Sequence, residues 1–276
     1  MIRTVILSLA FLCSIASASS IQEQGDYLFE KLSNADADTY QSQALDPSME
    51  GLKNTAISYG YQGGLYITMK AILERLEGKL NAFPLVDFRS VVVYQDGFLM
   101  LPAKVRIQNG REVITETAAR RTAYIPSIER QPKFISVLPT WRDYFSIKLK
   151  SPEINRNSVL PKTREEKVIW KDKVREGWEE GVQQAYANYE KRLARMQDDL
   201  KGYMTYHVLR KHNIITEPKF SSNYYALTGG GSSINIDDVM VEVQVNPTFV
   251  TNRDLWESIT RIPSFLDLVE APRDEL

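Results

Sequence analysis

The chain has 276 residues, 43% of them hydrophobic and 10% aromatic, which is enough apolar material for a buried core and too much for a disordered chain. Its 34 Lys and Arg offset 35 Asp and Glu, and a formal charge of -1 removes the electrostatic case for a nucleic-acid binder or a polybasic membrane-surface protein. A single cysteine excludes a disulfide framework and a cysteine-rich zinc site.

Residues 1–18 read as a secretory signal peptide. Arg3 supplies the basic end, Val5 to Ile15 the apolar run, and Ala16-Ser17-Ala18 the small-x-small site, with cleavage after Ala18. The run is too short to span a bilayer, and no other segment reaches 18 uninterrupted apolar residues, so the mature chain is expected to be soluble and exported. Cys13 lies inside the run, so cleavage after Ala18 leaves no thiol and a charge balance of 33 against 35. Acylation of Cys13, as in a bacterial lipoprotein, is the disfavoured alternative, because Leu12 immediately before it fits a lipobox poorly.

Residues 19–45 form a polar lead-in, extended or a short helix. A domain over residues 46–246 then opens with Asp46-Pro47, read as an N-cap and first helical position. Met49, Leu52, Ala56, Tyr59, Gly63, Tyr66, Met69, Leu73, Leu76 and Leu80 advance in helical steps. Gly60, Gly63 and Gly64 mark either a break in this helix or a close approach of another element. Strand character follows from Phe88 to Tyr94, with hairpin turns expected at Asp96-Gly97 and Asn109-Gly110, and with Pro126, Pro132 and Pro139 dividing the remainder. Trp141 to Lys150 reads equally as strand or loop.

Thr163 and Glu166 form a capping box ahead of the clearest element. Around Gly177, the residues Trp170, Val174, Trp178, Gly181, Val182, Ala185, Tyr189, Leu193, Met196 and Leu200 fall in a sector about 140° wide. Lys171, Arg192 and Asp199 intrude on it. A helix from Glu165 to Lys201 measures about 55 Å, against about 47 Å for a domain of this size, so it crosses the molecule, kinks or projects; Gly202 marks an end or bend. Gly177, Gly181 and Ala185 with Trp178 form a ridge for packing inside the fold or for an interface, and Trp141 is a further packing or interface anchor. Beyond the glycine-rich turn at Thr228–Ser232, Val239, Val241, Val243 and Val245 alternate with polar residues as a half-buried strand. Residues 247–276 read as a short helix around Leu255 to Ile259 and a tail.

No catalytic, metal or cofactor constellation emerges. His207 and His212, five residues apart, diverge by about 140° on a helix and do not converge on one metal, and no Gly-x-Ser-x-Gly elbow supplies a nucleophile. The Gly60–Gly64 and Gly229–Ser233 segments lack phosphate-loop spacing. Glu165-Glu166 and Glu179-Glu180 offer carboxylate pairs of the kind glycosidases use, but on a charged helix they read as a solvated face.

Four stretches taken in order resemble the DotC family of type IVB secretion systems, whose plasmid relatives in IncI-type conjugation are called TraI. They are Ser58-Tyr59-Gly60-Tyr61-Gln62-Gly63-Gly64-Leu65, Pro139-Thr140-Trp141-Arg142-Asp143-Tyr144, the run from Leu160 through Trp170 to Val182, and Leu227-Thr228-Gly229-Gly230-Gly231. The resemblance implies a non-catalytic subunit of an outer-membrane-associated core complex. Its implied setting is the periplasm, in a ring-shaped hetero-oligomer with DotD-like and DotH-like partners, without direct contact to nucleic acid. With Cys13 poorly placed for acylation, attachment to the outer membrane is expected to come through those partners. A bacterial setting also reduces the ER-retention-like Arg273-Asp274-Glu275-Leu276 to a solvated tail. The expectation is a single α+β domain of two long helical segments packed on an antiparallel sheet; a periplasmic cell-wall glycosidase is the alternative.

Overall fold

A computed structural model describes residues 15–42, 48–82, 88–155 and 157–257. The chain divides into two units, Met1–Leu85 with Tyr144–Leu193 and Val86–Asp143 with Ala194–Leu276. Four α-helices occur among the described residues: α1 (Ile15–Ser33), α2 (Met49–Ala82), α3 (Trp141–Phe145) and α4 (Arg164–Lys211). All strand pairing is antiparallel, so the class is the α+β expected from the sequence. Among the described residues the pairing is distributed over three small sheets. Arg3 and Cys13, Asp46-Pro47 and residues 258–276 lie outside the described residues.

The first unit is helical. The 19–45 lead-in, described as far as Ser42, takes the helical of its two readings up to Ser33, and α1 buries Ile21, Leu28 and Leu32. Ser48 starts α2, its Oγ accepting from the Gly51 N–H at 3.2 Å. The capping box ahead of α4 is fully formed: Glu166 N–H donates to Thr163 Oγ1 at 3.2 Å, and Thr163 N–H donates to Glu166 Oε2 at 3.1 Å. Leu28, Leu32, Leu52, Ala56, Trp170 and Val174 form the core. Within it, the Trp170 indole N–H donates to the Leu32 carbonyl at 2.8 Å, satisfying a polar group that has lost all contact with water. Below it, Lys167 pairs with Asp36 at 3.0 Å. The Thr39 backbone N–H and hydroxyl, helped by Lys167, hold the Asp36 carboxyl down at about 2.

Glycines govern how α2 meets α4. Helix α2 runs unbroken through Gly60, Gly63 and Gly64, so close approach is the reading the structure selects for them. A methyl group on Gly60 would overlap the Val174 carbonyl, one on Gly64 the Trp178 carbonyl, one on Gly177 the Ile57 carbonyl and one on Gly181 the Tyr61 carbonyl. Backbone therefore lies on backbone from both sides. At Gly63 the same methyl would lie 2.7 Å from Leu32 Cδ1 and 2.8 Å from the Trp178 ring.

The second unit holds the strands. β1 (Val93–Gln95), β2 (Phe98–Leu101) and β5 (Lys133–Ile135) form one sheet in the order β1-β2-β5. Asp96 and Gly97, at φ of 47° and 82°, make the expected β1–β2 turn, which requires left-handed backbone at both positions. Phe88 to Val92 is not a strand. Phe88–Ser90 is a 3-10 turn that buries Phe88 and Val91, three residues apart, on one side, where an extended strand would alternate.

β3 (Lys104–Thr115) and β4 (Ala118–Arg130) form a long hairpin, as do β6 (Lys219–Gly230) and β7 (Ser233–Val245). The turn expected at Asn109-Gly110 is absent. Both residues lie inside β3 without positive φ, and the chain reverses at Glu116-Thr117. Gly110 instead makes room for Ile125, whose Cδ1 would lie 2.8 Å from a methyl group there. Pro126 does not divide the chain either; it lies within β4 opposite Ile107, a position open to proline because β4 pairs on one edge only. Trp141 to Phe145 is neither strand nor loop but α3.

Helix α4 continues past Gly202 to Lys211, and its last turns pack Tyr206 and Leu209 against Ala103, Val105, Ile214 and Ile215. Asn213, at φ 56°, ends it in the left-handed conformation common after helices. The helix read around Leu255 to Ile259 is, in its described part, the 3-10 turn Arg253–Leu255.

Since Gly181 has backbone atoms where a side chain would go, Gly181→Ala should lower the unfolding free energy by about 2–3 kcal/mol in a urea titration. Gly78→Ala, with nothing within 4 Å of the added methyl, should raise it by about 0.5–1 kcal/mol.

Candidate interaction surface

In the second unit the hairpin β3–β4 is anchored at its root by charge. Register places Lys104, the first residue of β3, opposite Arg130, the last of β4. Lys104 is 6% exposed and Asp199, on α4, is 4% exposed, and buried charges of this kind persist only when paired. Lys104 Nζ reaches Asp199 Oδ1 at 2.8 Å, Glu129 Oε2 at 3.2 Å and, closer still, Asp198 Oδ2. Arg106 joins Glu129 at 2.7 Å and Asp198 at 3.1 Å, while Arg130 pairs with Asp199 and lies over the Tyr203 ring, 5.9 Å from its centroid. Three cations meet three carboxylates, and the cluster is neutral. Gly202 serves this clasp, since a methyl group there would overlap the aliphatic stem of Lys104.

Burial works against the charge on Lys104, but hydrogen bonds to Asp198 and Asp199 overcome it and raise its pKa above the ordinary lysine value. Burial likewise works against the Asp198 carboxylate, and Lys104 and Arg106 reverse the effect, leaving its pKa below the usual carboxylate range. The cations occupy the carboxylate oxygens that a metal would need. Among the described residues no group of three His, Cys, Asp or Glu side chains is placed to hold a metal ion.

Beyond the clasp, the two hairpins expose large apolar side chains along their length. Val113 is 79% exposed and Tyr124 62% on β3–β4; Tyr224 is 74% and Ile236 72% on β6–β7. Among the described residues each is a two-stranded sheet, an arrangement of marginal stability in water unless something covers it. Val239, Val241 and Val243 are half-buried as the alternation predicts, but Val245, the last of the series, is exposed because it lies at the end of β7, and Met240 is exposed as well.

The residues singled out from sequence lie elsewhere. Gly177, Gly181 and Trp178 meet α2 in the first unit, where the Trp178 ring stands edge-on to Phe29 at 5.3 Å between centroids; Ala185 is fully buried. Trp141 belongs to the second unit, is 9% exposed and has the Arg142 guanidinium 4.6 Å from its ring centroid. Cys13 is outside the described residues. His207 Nε2 lies 2.8 Å from the Val91 carbonyl oxygen, and burial lowers its pKa. Glu166 is spent on the capping box, and Glu179 and Glu180 are exposed. The clasp had one sequence signal, Asp199 interrupting an apolar stripe.

A family model described as type IV secretory system, conjugal DNA-protein transfer, of the TraI type, matches residues 48–258. The chain belongs to this family. No curated protein matches it. The family region includes α2, the clasp and both hairpins, whereas α1 precedes it. No described helix is long and apolar enough to cross a membrane.

Asp199→Ala removes one of the three carboxylates around the buried Lys104 ammonium and the partner of Arg130, and should cost roughly 3 kcal/mol of stability. The raised Lys104 pKa contributes stability that is complete below about pH 10 and lost at higher pH; the lowered Asp198 pKa contributes stability present above about pH 4 and lost as acid protonates it. Protonation of His207 favours the unfolded chain, where burial no longer lowers its pKa, so thermal melting should be level between about pH 7 and 9 and decline from about pH 6. It should fall further below about pH 4, and Asp198→Asn should reduce that last fall to the part that Asp36 contributes.

Proposed function

We propose that the chain is a non-catalytic structural subunit of the outer-membrane-associated core complex of a type IVB secretion or conjugation system, related to DotC and working with DotD-like and DotH-like partners. The observation that carries this reading is the pair of hairpins, rooted in the second unit and covered along their length by large exposed apolar side chains. Apolar patches of this kind mark protein–protein surfaces, and membership of a secretion and conjugation family supplies an assembly for them to enter. The chain is exported to the periplasm after cleavage at Ala18 and reaches the outer membrane through its partners, not through Cys13.

Recovery of the tagged chain from the envelope of a cell carrying such a system tests the reading. DotD-like and DotH-like proteins should co-purify from the outer-membrane fraction. Replacing Tyr224, Leu227 and Ile236 with Ser should abolish their recovery while leaving the melting temperature unchanged. Recovery of the unaltered chain without either partner overturns the proposal. Intact mass tests attachment separately: a chain beginning at Ser19 without lipid is expected, and one beginning at acylated Cys13 overturns attachment through partners.

A further inference from the structure

The two hairpins are alike in layout and opposite in charge. Residues 107–127 carry three arginines against two glutamates, and residues 220–245 carry three acids and no base. Arg111 stands directly opposite Arg121 across β3–β4, and like charges so placed repel. Arg120 stands opposite Glu112, while Arg111, Arg121 and Asp237 make no ion pair among the described side chains. Asp237 and Asp238 are adjacent on β7.

The charges stand at the same height. Arg111 lies five residues before the turn at Glu116-Thr117 and Asp237 five after the turn at Gly231-Ser232, about 17 Å from each tip in extended chain. Aliphatic residues occupy the tip side of both belts, Val113 and Ile114 on one and Ile234 and Ile236 on the other; a tyrosine follows on the root side of each, Tyr124 and Tyr224. Alternation along the strands puts Val113 on one face with Arg111 and Arg121, and Ile234 and Ile236 on one face with Asp238, so with tips together aliphatic meets aliphatic and arginine meets aspartate. Among the described residues each is also a two-stranded ribbon with open edges, the template on which sheets extend.

We infer that the occupant of each hairpin is the other hairpin of a second copy of this chain: β3–β4 of one copy lies tip to tip along β6–β7 of the next. The contact joins unlike surfaces, so every copy offers one donor and one acceptor, and the pairing propagates to a ring or an open chain. This inference rests on reading the hairpins as assembly surfaces and identifies one of their partners.

Sedimentation of the purified full chain at concentrations up to about 0.1 mM should show self-association that weakens as salt is raised. Arg111→Glu with Arg121→Glu makes both hairpins acidic, and Asp237→Lys with Asp238→Lys makes both basic. Each variant alone should associate at least about tenfold more weakly. Mixed together they should recover the wild-type association, because each then meets an opposite surface. Should the lysine variant melt early, Asp237→Asn with Asp238→Asn tests the same belt and should also weaken association. A monomeric wild type, indifference to all the variants, or a mixture that stays dissociated each overturns the self-pairing. If the wild type is monomeric while the Ser variant above still loses its partners, self-pairing fails and the subunit reading stands.

Discussion

The ammonium of Lys104 is buried, and the second unit is arranged around that fact. A lysine at the first position of β3 has no water to hold its charge, so its three protons must go to carboxylates, and Asp198, Asp199 and Glu129 supply them. Two of these come from α4 and one from the end of β4. The cluster therefore ties both ends of a hairpin to a helix at a single point. Hydrophobic burial around Val105, Tyr206 and Leu209 gives the joint its stability but little direction, because apolar contact is tolerant of sliding. The ion cluster gives it register: moving the hairpin by one residue would leave charges buried and unpaired on both sides.

The first unit solves a different problem with different means. Helices α2 and α4 approach until main chain meets main chain at four glycines, two on each helix and four residues apart. That spacing places each pair on one helical face, and the absence of side chains replaces interdigitation with direct backbone contact. Glycine in a helix costs about 1 kcal/mol per position relative to alanine, so four such residues are tolerated because the apposed surfaces return more in close packing. The aromatic residues Trp170, Trp178 and Phe29 fill the space beside the contact.

Local signals in the sequence proved reliable where the structure they specify is itself local. Thr163 and Glu166 satisfy each other's backbone within one turn, and Asp96-Gly97 needs only its own two dihedrals, so both were legible. Asn109-Gly110 carries the same type of signal and is overruled, because a longer register pairs Gln108 with Ile125 and Gly110 with Thr122; no window of a few residues contains that information. Asp199 was visible as a flaw in an apolar stripe, yet its partner Lys104 lies 95 residues away, and pairing at that distance has no sequence period. The exposure of the hairpins was hidden for a related reason. Alternating valines announce a half-buried strand whether the covering layer belongs to the same chain or to another.

Exposed apolar hairpins invite indiscriminate strand pairing, and these two carry the features that restrain it. Register shifts interrupt β3–β4 between Gln108 and Gly110 and between Val113 and Thr115, and Asp237 puts one left-handed residue inside β7; such irregularities twist an edge away from a flat partner. Charge does the rest. Two copies of β3–β4 brought together would set arginines against arginines, and two copies of β6–β7 aspartates against aspartates, so like hairpins reject one another. The same belts attract when unlike hairpins meet. A single set of charged residues thus discourages the pairings that would lead to aggregation and leaves one pairing open, which is the economy expected of a surface selected for specificity as well as for affinity.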